Sequence, residues 1–150
     1  MPAHWLPKDR PILQTCLSVK DAAKLRDFIV QVFDVPVHEC HTDPSGVLRH
    51  AELKFGGAAL MLGEACGEFG PLTSSFYVYV PDCDAAFQRA IEAGATSVSP
   101  PVTQFYGDRH GSLRDAWGNL WSIATHVEDV SEEEMARRAQ EFMAKEQAQS

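Results

Sequence analysis

Short stretches of alternating apolar and polar residues recur along the chain, and each group of such stretches includes one segment with helical spacing. Residues 11–19 alternate, which predicts a strand with Leu17 and Val19 on its buried face. Apolar residues then recur at the spacing of one helical stripe, with Asp21 as the predicted N-cap and Pro36 beyond the end. Three further strands are predicted at residues 37–42, 47–55 and 58–63.

The same order of elements starts again after a short polar linker at residues 64–71. Residues 74–80 alternate as a strand, residues 82–93 form an amphipathic helix, and the last strand, residues 120–127, follows a tight turn. An offset of 61 residues places Val19 on Val80, Val37 on Val98 and Gly57 on Gly118 without a gap. We interpret the pattern as two copies of one βαβββ unit, about residues 11–63 and about residues 72–127.

A third helix is predicted near the C-terminus, at about residues 131–145. Ser131 and the acidic residues that follow it form a capping box, and Met135, Phe142 and Met143 contribute to an apolar stripe. This helix is expected to dock on its own domain or on a partner subunit, while residues 145–150 are expected to fray. The fold class is therefore α+β.

The chain of 150 residues carries a formal net charge of −8, from 21 acidic and 13 basic residues. This balance disfavours binding to nucleic acid or to an anionic membrane surface. The N-terminal residues show no basic region followed by an apolar run, and no segment approaches the length of a membrane span, so we expect a cytoplasmic protein. The four cysteines show no Cys-x-x-Cys spacing, which favours reduced thiols over a zinc or redox site.

Two segments carry a resemblance to a known family: Gln14 to Asp21, and the run from Tyr106 to Ile123 that includes Tyr-Gly-Asp-Arg and Asp-x-x-Gly-Asn. With the tandem βαβββ units, they resemble the vicinal oxygen chelate superfamily of glyoxalase I, bleomycin-resistance proteins and extradiol dioxygenases. PhnB-like and glyoxalase-like members are the most similar. The resemblance covers about residues 11–127 and implies curved mixed sheets around a cavity for a small organic molecule, often in a homodimer. With the terminal helix as an extension, we expect a single domain over residues 1–150.

In the metalloenzymes of that superfamily, each module contributes two ligands to one divalent metal. The resemblance places the four ligand positions at Gln14, Met61, Ser75 and Ser122. A thioether and two hydroxyls are poor ligands for such a metal, and only Gln14 offers a suitable oxygen. We therefore expect no metal and no other cofactor at these positions.

Other residues leave alternatives open. His50, His110 and His126, with Glu52 or Glu64, could rebuild a metal site elsewhere, although no sequence spacing supports it. Arg109, next to Asp108, could bind a carboxylate or phosphate of a ligand, or it could pair within the fold while Asp108 caps the turn. Bulky side chains could also simply fill the cavity.

Alternation with period two extends the cavity wall to Tyr77, Tyr79 and His126. Phe105 is expected near the mouth, where it either stacks on a ligand or covers a core or interface. The predicted ligand-binding residues are Gln14, Met61, Ser75, Tyr77, Tyr79, Phe105, Asp108, Arg109, Ser122 and His126.

This wall predicts binding of an aromatic or apolar organic molecule without metal, and thus resistance by sequestration. Two alternatives remain: a metal-dependent glyoxalase-like or dioxygenase-like enzyme with non-standard ligands, and a dimerising domain without a ligand.

Overall fold

The computed structural model describes residues 5–149 and contains eight strands and three helices in that range. The elements are β1 (Thr15–Val19), α1 (Ala22–Phe33), β2 (Val37–Thr42), β3 (Leu48–Phe55), β4 (Ala58–Glu64), β5 (Ser75–Tyr79), α2 (Cys83–Glu92), β6 (Thr96–Thr103), β7 (Asp108–Arg114), β8 (Leu120–His126) and α3 (Glu132–Gln149). The chain divides after Ser74 into two compact units, each with one four-stranded mixed sheet. The predicted α+β class with two successive βαβββ patterns and a C-terminal helix is confirmed.

In the first unit the strand order is β1-β4-β3-β2, with β1 parallel to β4 and the other pairs antiparallel. Helix α1 packs on β3 and β4, and its stripe Leu25, Ile29 and Val32 is fully buried. The first strand is shorter than predicted, because it begins at Thr15 and leaves Leu13 87% exposed.

The start of α1 corrects one prediction. Asp21 occupies the N-cap position in a left-handed conformation, and its side chain makes no capping hydrogen bond. The cap comes instead from Glu64 at the end of β4, whose carboxylate accepts hydrogen bonds from the backbone N–H of Asp21 at 3.0 Å and of Ala22 at 2.9 Å. The residue at the start of the predicted linker thus holds the sheet to the helix.

The second unit repeats the topology with the order β5-β8-β7-β6. Trp121, Ile123 and Leu113 are buried on the side of the sheet that faces α2. Strand β6 lies at one edge of this sheet, contains Pro100 and Pro101, and pairs with β7 in an irregular register.

The turn between β7 and β8 is organised by the buried side chain of Asp115. One carboxylate oxygen accepts from the backbone N–H of Trp117 and of Asn119, both at 2.9 Å. The other accepts from Asn119 Nδ2 at 2.8 Å and from Trp121 Nε1 at 2.9 Å. Because a buried carboxylate is costly unless its hydrogen-bonding capacity is met, this network fixes the turn.

Helix α3 begins where Ser131 Oγ accepts a hydrogen bond from the backbone N–H of Glu134 at 3.3 Å. Arg138 anchors it to the preceding segment through Glu128 at 2.8 and 2.9 Å, and Phe142 packs on Phe105 with ring centroids 5.1 Å apart. The helix continues to Gln149, beyond the predicted end at about residue 145.

None of the helices within residues 5–149 combines the length and the apolar character needed to cross a membrane. The four cysteines are free; Cys83 is buried and the other three are exposed.

Candidate functional site

The second sheet has one face covered by α2 and one face rich in aromatic and polar side chains. On the covered face Cys83 Sγ lies 3.2 Å from the carbonyl oxygen of Ile123, and a Cβ on Gly111 would meet the ring of Phe87. The alternate residues of β5, β7 and β8 point the other way. We call this the open face; it consists of Tyr77, Tyr79, Asp108, His110, Ser112, Ser122 and His126.

The strand register brings these side chains into neighbouring rows. Tyr77 pairs with Ser122, which pairs in turn with Ser112. Asp108 pairs with His126 at the end of the sheet where β7 begins and β8 ends. Side chains that are cross-strand neighbours lie within contact distance, so the register alone assembles the cluster.

Asp108, the first residue of β7, is only 4% exposed. One carboxylate oxygen accepts hydrogen bonds from the Tyr79 hydroxyl at 2.7 Å and from the Tyr77 hydroxyl at 3.3 Å. The other lies 2.8 Å from Nδ1 of His126. Three donors from two other strands therefore converge on one carboxylate.

The protonation states follow from these contacts. Burial alone would raise the pKa of Asp108, but hydrogen bonds from His126 and the two tyrosines hold that pKa below its usual value. The hydrogen bond to Asp108, and a second to Asp129, raise the pKa of His126. The pKa of Tyr79 is raised by its hydrogen bond to Asp108, and that of Tyr77 chiefly by burial. The face therefore holds an ionised carboxylate and neutral phenols near pH 7.

The aromatic rings form a platform that is still accessible. Tyr77 and Tyr79 are 50% and 63% exposed, with ring centroids 5.4 Å apart. The His110 ring stacks nearly parallel to Tyr77 at 5.3 Å, with an interplanar angle of 4°. Exposed aromatic side chains held in place by packing and hydrogen bonds are typical of binding surfaces.

The hydroxyls of Ser112 and Ser122 lie 3.2 Å apart on the same face, and Ser112 Oγ lies 3.4 Å from Nε2 of His110. At the opposite end, His126 Nε2 contacts Asp129 at 2.8 Å. The segment that leads into α3 is thus linked to the open face.

The structure does not bring every predicted site residue to this face. Arg109 lies on the face covered by α2, where its guanidinium forms a bidentate ion pair with Asp84, so of the two alternatives it adopts the pairing within the fold. Asp108 does not cap the turn with its side chain. Phe105 packs on Tyr106 and Phe142, and its carbonyl oxygen accepts a hydrogen bond from Arg138. Arg109 and Phe105 are therefore left out of the open face.

Three residues in or beside the open face were missed by the sequence reasoning: Tyr106, Ser112 and Asp129. His110 was considered only as part of a metal site, although period two, continued from Asp108 along β7, places both His110 and Ser112 on this face. Tyr106, which hydrogen-bonds Tyr77, and Asp129 lie in irregular segments without a periodic signal.

In the first unit, Met61 pairs with Cys16 and Glu52 on the side of the sheet away from α1. Gln14 lies just before β1, and its side-chain oxygen is buried without a hydrogen-bond partner. Glu52 is fully buried and forms ion pairs with Arg10 and with Lys54 Nζ, the latter at 2.7 Å, although neither pair has the alignment of a hydrogen bond.

The alternative metal set is divided between different environments. Ligand atoms of Glu39, His50 and Glu52 lie within 4.8 Å of one another in the first unit. Glu64 caps α1, while His110 and His126 belong to the open face of the second unit. Arg10 contacts both Glu39 and Glu52, so the negative charge of that cluster is already balanced within the chain.

The residues at the superfamily's four metal-ligand positions do not fit a divalent metal. Ser122 is engaged with Ser112, Met61 offers only a soft thioether, and Ser75 offers a neutral hydroxyl. Hard and borderline metals require imidazole, carboxylate or thiolate donors, so the side chains at these positions supply no suitable set.

A sequence model described as "Glyoxalase/Bleomycin resistance protein/Dioxygenase superfamily" matches residues 12–123. Two curated mycobacterial proteins are similar over most of their length. Uncharacterized protein Mb0911c of Mycobacterium bovis is 36% identical over 136 residues, which cover 83% of this chain and 90% of the relative. Uncharacterized protein Rv0887c of Mycobacterium tuberculosis has the same identity over 80% of its length.

Solved structures give a consistent picture. TioX from Micromonospora sp. ML1 is 28% identical, with a TM-score of 0.63 over 77% of this chain and 99% of that one. TnmS3, an antibiotic binding protein from Streptomyces sp. CB03234, is 20% identical, with a TM-score of 0.60 over 77% of this chain and 95% of that one. At its lower identity, TnmS3 shows a shared fold alone.

Proposed function

Because the chain belongs to the glyoxalase/bleomycin resistance protein/dioxygenase superfamily, we propose that it binds a flat organic molecule on the open face of its second unit without a metal. The ligand stacks on the tyrosine platform and is held by apolar burial and hydrogen bonds. Sequestration of such a molecule is the biological role that this mode of binding supports.

One observation carries the proposal: Tyr77 and Tyr79 are at least half exposed, yet both hydroxyls are fixed on the buried carboxylate of Asp108. Immobilising a solvent-exposed aromatic side chain on a ligand costs conformational entropy. Here that cost is met before binding, so a larger part of the stacking energy, about 0.5–1.5 kcal/mol per aromatic pair, contributes to affinity.

This fold can carry a ligand site, since TnmS3, which shares it, is an antibiotic binding protein. The homodimer, the cytoplasmic location and the PhnB-like subtype remain predictions. So does a ligand site completed by Gln14 and Met61 of the first unit.

A metal-dependent enzyme is the second candidate, and one observation favours it. Glu39, His50 and Glu52 are placed closely enough to share an ion. However, a metal there would have to compete with Arg10 and Lys54 for Glu52, and would leave those two cations without their partner.

The test is calorimetric titration of the purified protein with a panel of neutral, cationic and anionic planar aromatic compounds, together with elemental analysis for bound metal. We expect at least one compound to bind, and the Tyr77→Leu/Tyr79→Leu double variant to bind it at least tenfold more weakly. Phe69→Leu, which alters a 75% exposed ring in the first unit, is the matched control. Stoichiometric metal whose removal abolishes binding would contradict the proposal.

A further inference from the structure

We infer that the ligand of the open face is a planar aromatic cation with N–H groups, such as a protonated aromatic amine. This inference rests on the proposed function and specifies its ligand class. It follows from the direction of the hydrogen bonds, from the charges around the platform and from the electronic character of the rings.

The hydrogen bonds leave acceptors facing the ligand. The Tyr77 and Tyr79 hydroxyls both donate to Asp108, and His126 contacts Asp108 through Nδ1 and Asp129 through Nε2. Each phenol has a single hydrogen to donate, so what each oxygen still offers, beyond its contact with Asp108 and, for Tyr77, its hydrogen bond with Tyr106, is lone pairs. A ligand that donates N–H groups satisfies these oxygens, whereas a carboxylate or sulfonate brings further acceptors to the same place.

The formal charges near the platform favour a positive ligand. Asp108 and Asp129 contribute two negative charges, and a protonated His126 between them contributes one positive charge. Arg109 faces α2 and is paired with Asp84. Arg114 lies on the same face of β7 as Asp108, but six residues farther along the strand, roughly 20 Å away.

The rings themselves attract cations. The face of a phenol ring carries negative charge from its quadrupole, and a hydroxyl that donates to a carboxylate makes the ring more electron-rich. Tyr77 and Tyr79 are both in this state, side by side and accessible. A planar cation can therefore stack on the rings while its N–H groups reach the phenol oxygens.

The experiment compares three planar tricyclic probes by calorimetry with the full-length protein at pH 7: proflavine as the cation, acridone as the neutral compound and anthraquinone-2-sulfonate as the anion. We expect proflavine to bind at least tenfold more tightly than the anion, with acridone between them. Affinities that are equal within error, or an order that favours the anion, would overturn the inference while leaving the proposed function in place. The absence of binding by all three would overturn both.

Three variants locate the preference. Asp108→Asn retains the side-chain shape and should reduce the ratio of cation to anion affinity at least fivefold. Asp129→Asn alters an exposed side chain, and a smaller reduction in the same direction is expected, so the test stands even if Asp108→Asn does not fold. Asp84→Asn makes the same charge change on the opposite face and should leave the ratio unchanged. A ratio that falls equally in all three variants would show only a general charge effect and would overturn the inference.

Discussion

At Asp108 a single carboxylate organises the side chains around it. It collects two phenols and one imidazole, and its own negative charge is stabilised by those three donors. Hydrogen bonds to a charged group are roughly twice as strong as neutral ones, so the cluster is well suited to hold exposed rings in place.

His126 provides a pH-dependent part of this stability. Its pKa is raised above the ordinary value of 6.5, so the stabilisation from its charged form is fully present below about pH 6.5 and is lost as the pH rises through the raised pKa. The pKa of Asp108 is lowered from 3.8, so its contribution is lost only as the pH falls below that value. We expect the melting temperature of His126→Gln to differ most from wild type between about pH 4 and 6.5.

Thermal melts across pH 4–9 check this prediction, with His38→Gln as a control at an exposed histidine. A difference between wild type and His126→Gln that grows with rising pH would contradict it, because that sign requires a histidine whose folded pKa is lowered.

Asp108 and Arg109 show how far the sequence can predict which side chains belong to the site. They are adjacent in sequence, and alternation in a strand places adjacent side chains on opposite faces. The sequence alone did not show which of them lies on the open face, because both are polar and no neighbouring residue indicated where the strand begins. The register with β8, which pairs Asp108 with His126, decides it.

Among the elements, α1 depends on a residue that is 42 positions away. Glu64→Ala removes the acceptor for the backbone N–H of Asp21 and of Ala22, as the loss of an N-cap does. We expect a loss of about 1 kcal/mol in the free energy of unfolding, measured by urea denaturation. Glu68→Ala, at an exposed position in the next segment, should change it by no more than about 0.5 kcal/mol. Equal effects of the two variants would show that Glu64 does not cap the helix.

Helix α3 is held by one arginine of an adjacent pair. Arg138 contacts Glu128 and the carbonyl oxygen of Phe105. Within the described residues, the side chain of Arg137 hydrogen-bonds to Glu134 and Glu141, which both belong to α3. We expect Arg138→Ala to increase amide hydrogen exchange throughout α3 and in residues 127–130, while Arg137→Ala affects the helix only slightly. The reverse order would show that the helix is stabilised by its internal pairs alone.

At the scale of the whole molecule, each unit has a buried core of its own, and this predicts separate responses to local damage. Asp115→Ala removes the acceptor that the buried Trp121 Nε1 and Asn119 Nδ2 share, which should cost about 3 kcal/mol. Hydrogen exchange should then increase within residues 75–149 well before it does in residues 15–64.

The reciprocal variant is Asp43→Ala, which removes the acceptor for Ser45, Val47 and Arg49 in the turn between β2 and β3. Its effect should be confined to the first unit. Increased exchange over both units in either variant, to the same degree, would show that they unfold together.

The repeat explains why so much of the architecture could be predicted. Two copies of one pattern confirm each other, so strands, helices and turns were recognised together, and the family followed from the same landmarks. The site was less accessible to this reasoning because it depends on register and on irregular segments. Gln14 lies outside β1, Tyr106 and Asp129 lie outside any strand, and periodicity says nothing about such positions.

Strand β6 has a consequence for the protein's behaviour at high concentration. An outer strand normally presents a row of unpaired N–H and C=O groups on which another chain can assemble. Pro100 and Pro101 have no N–H to offer, and the irregular register beside them twists the strand away from a flat edge. This side of the second sheet is therefore a poor template for intermolecular β-aggregation, however crowded the solution.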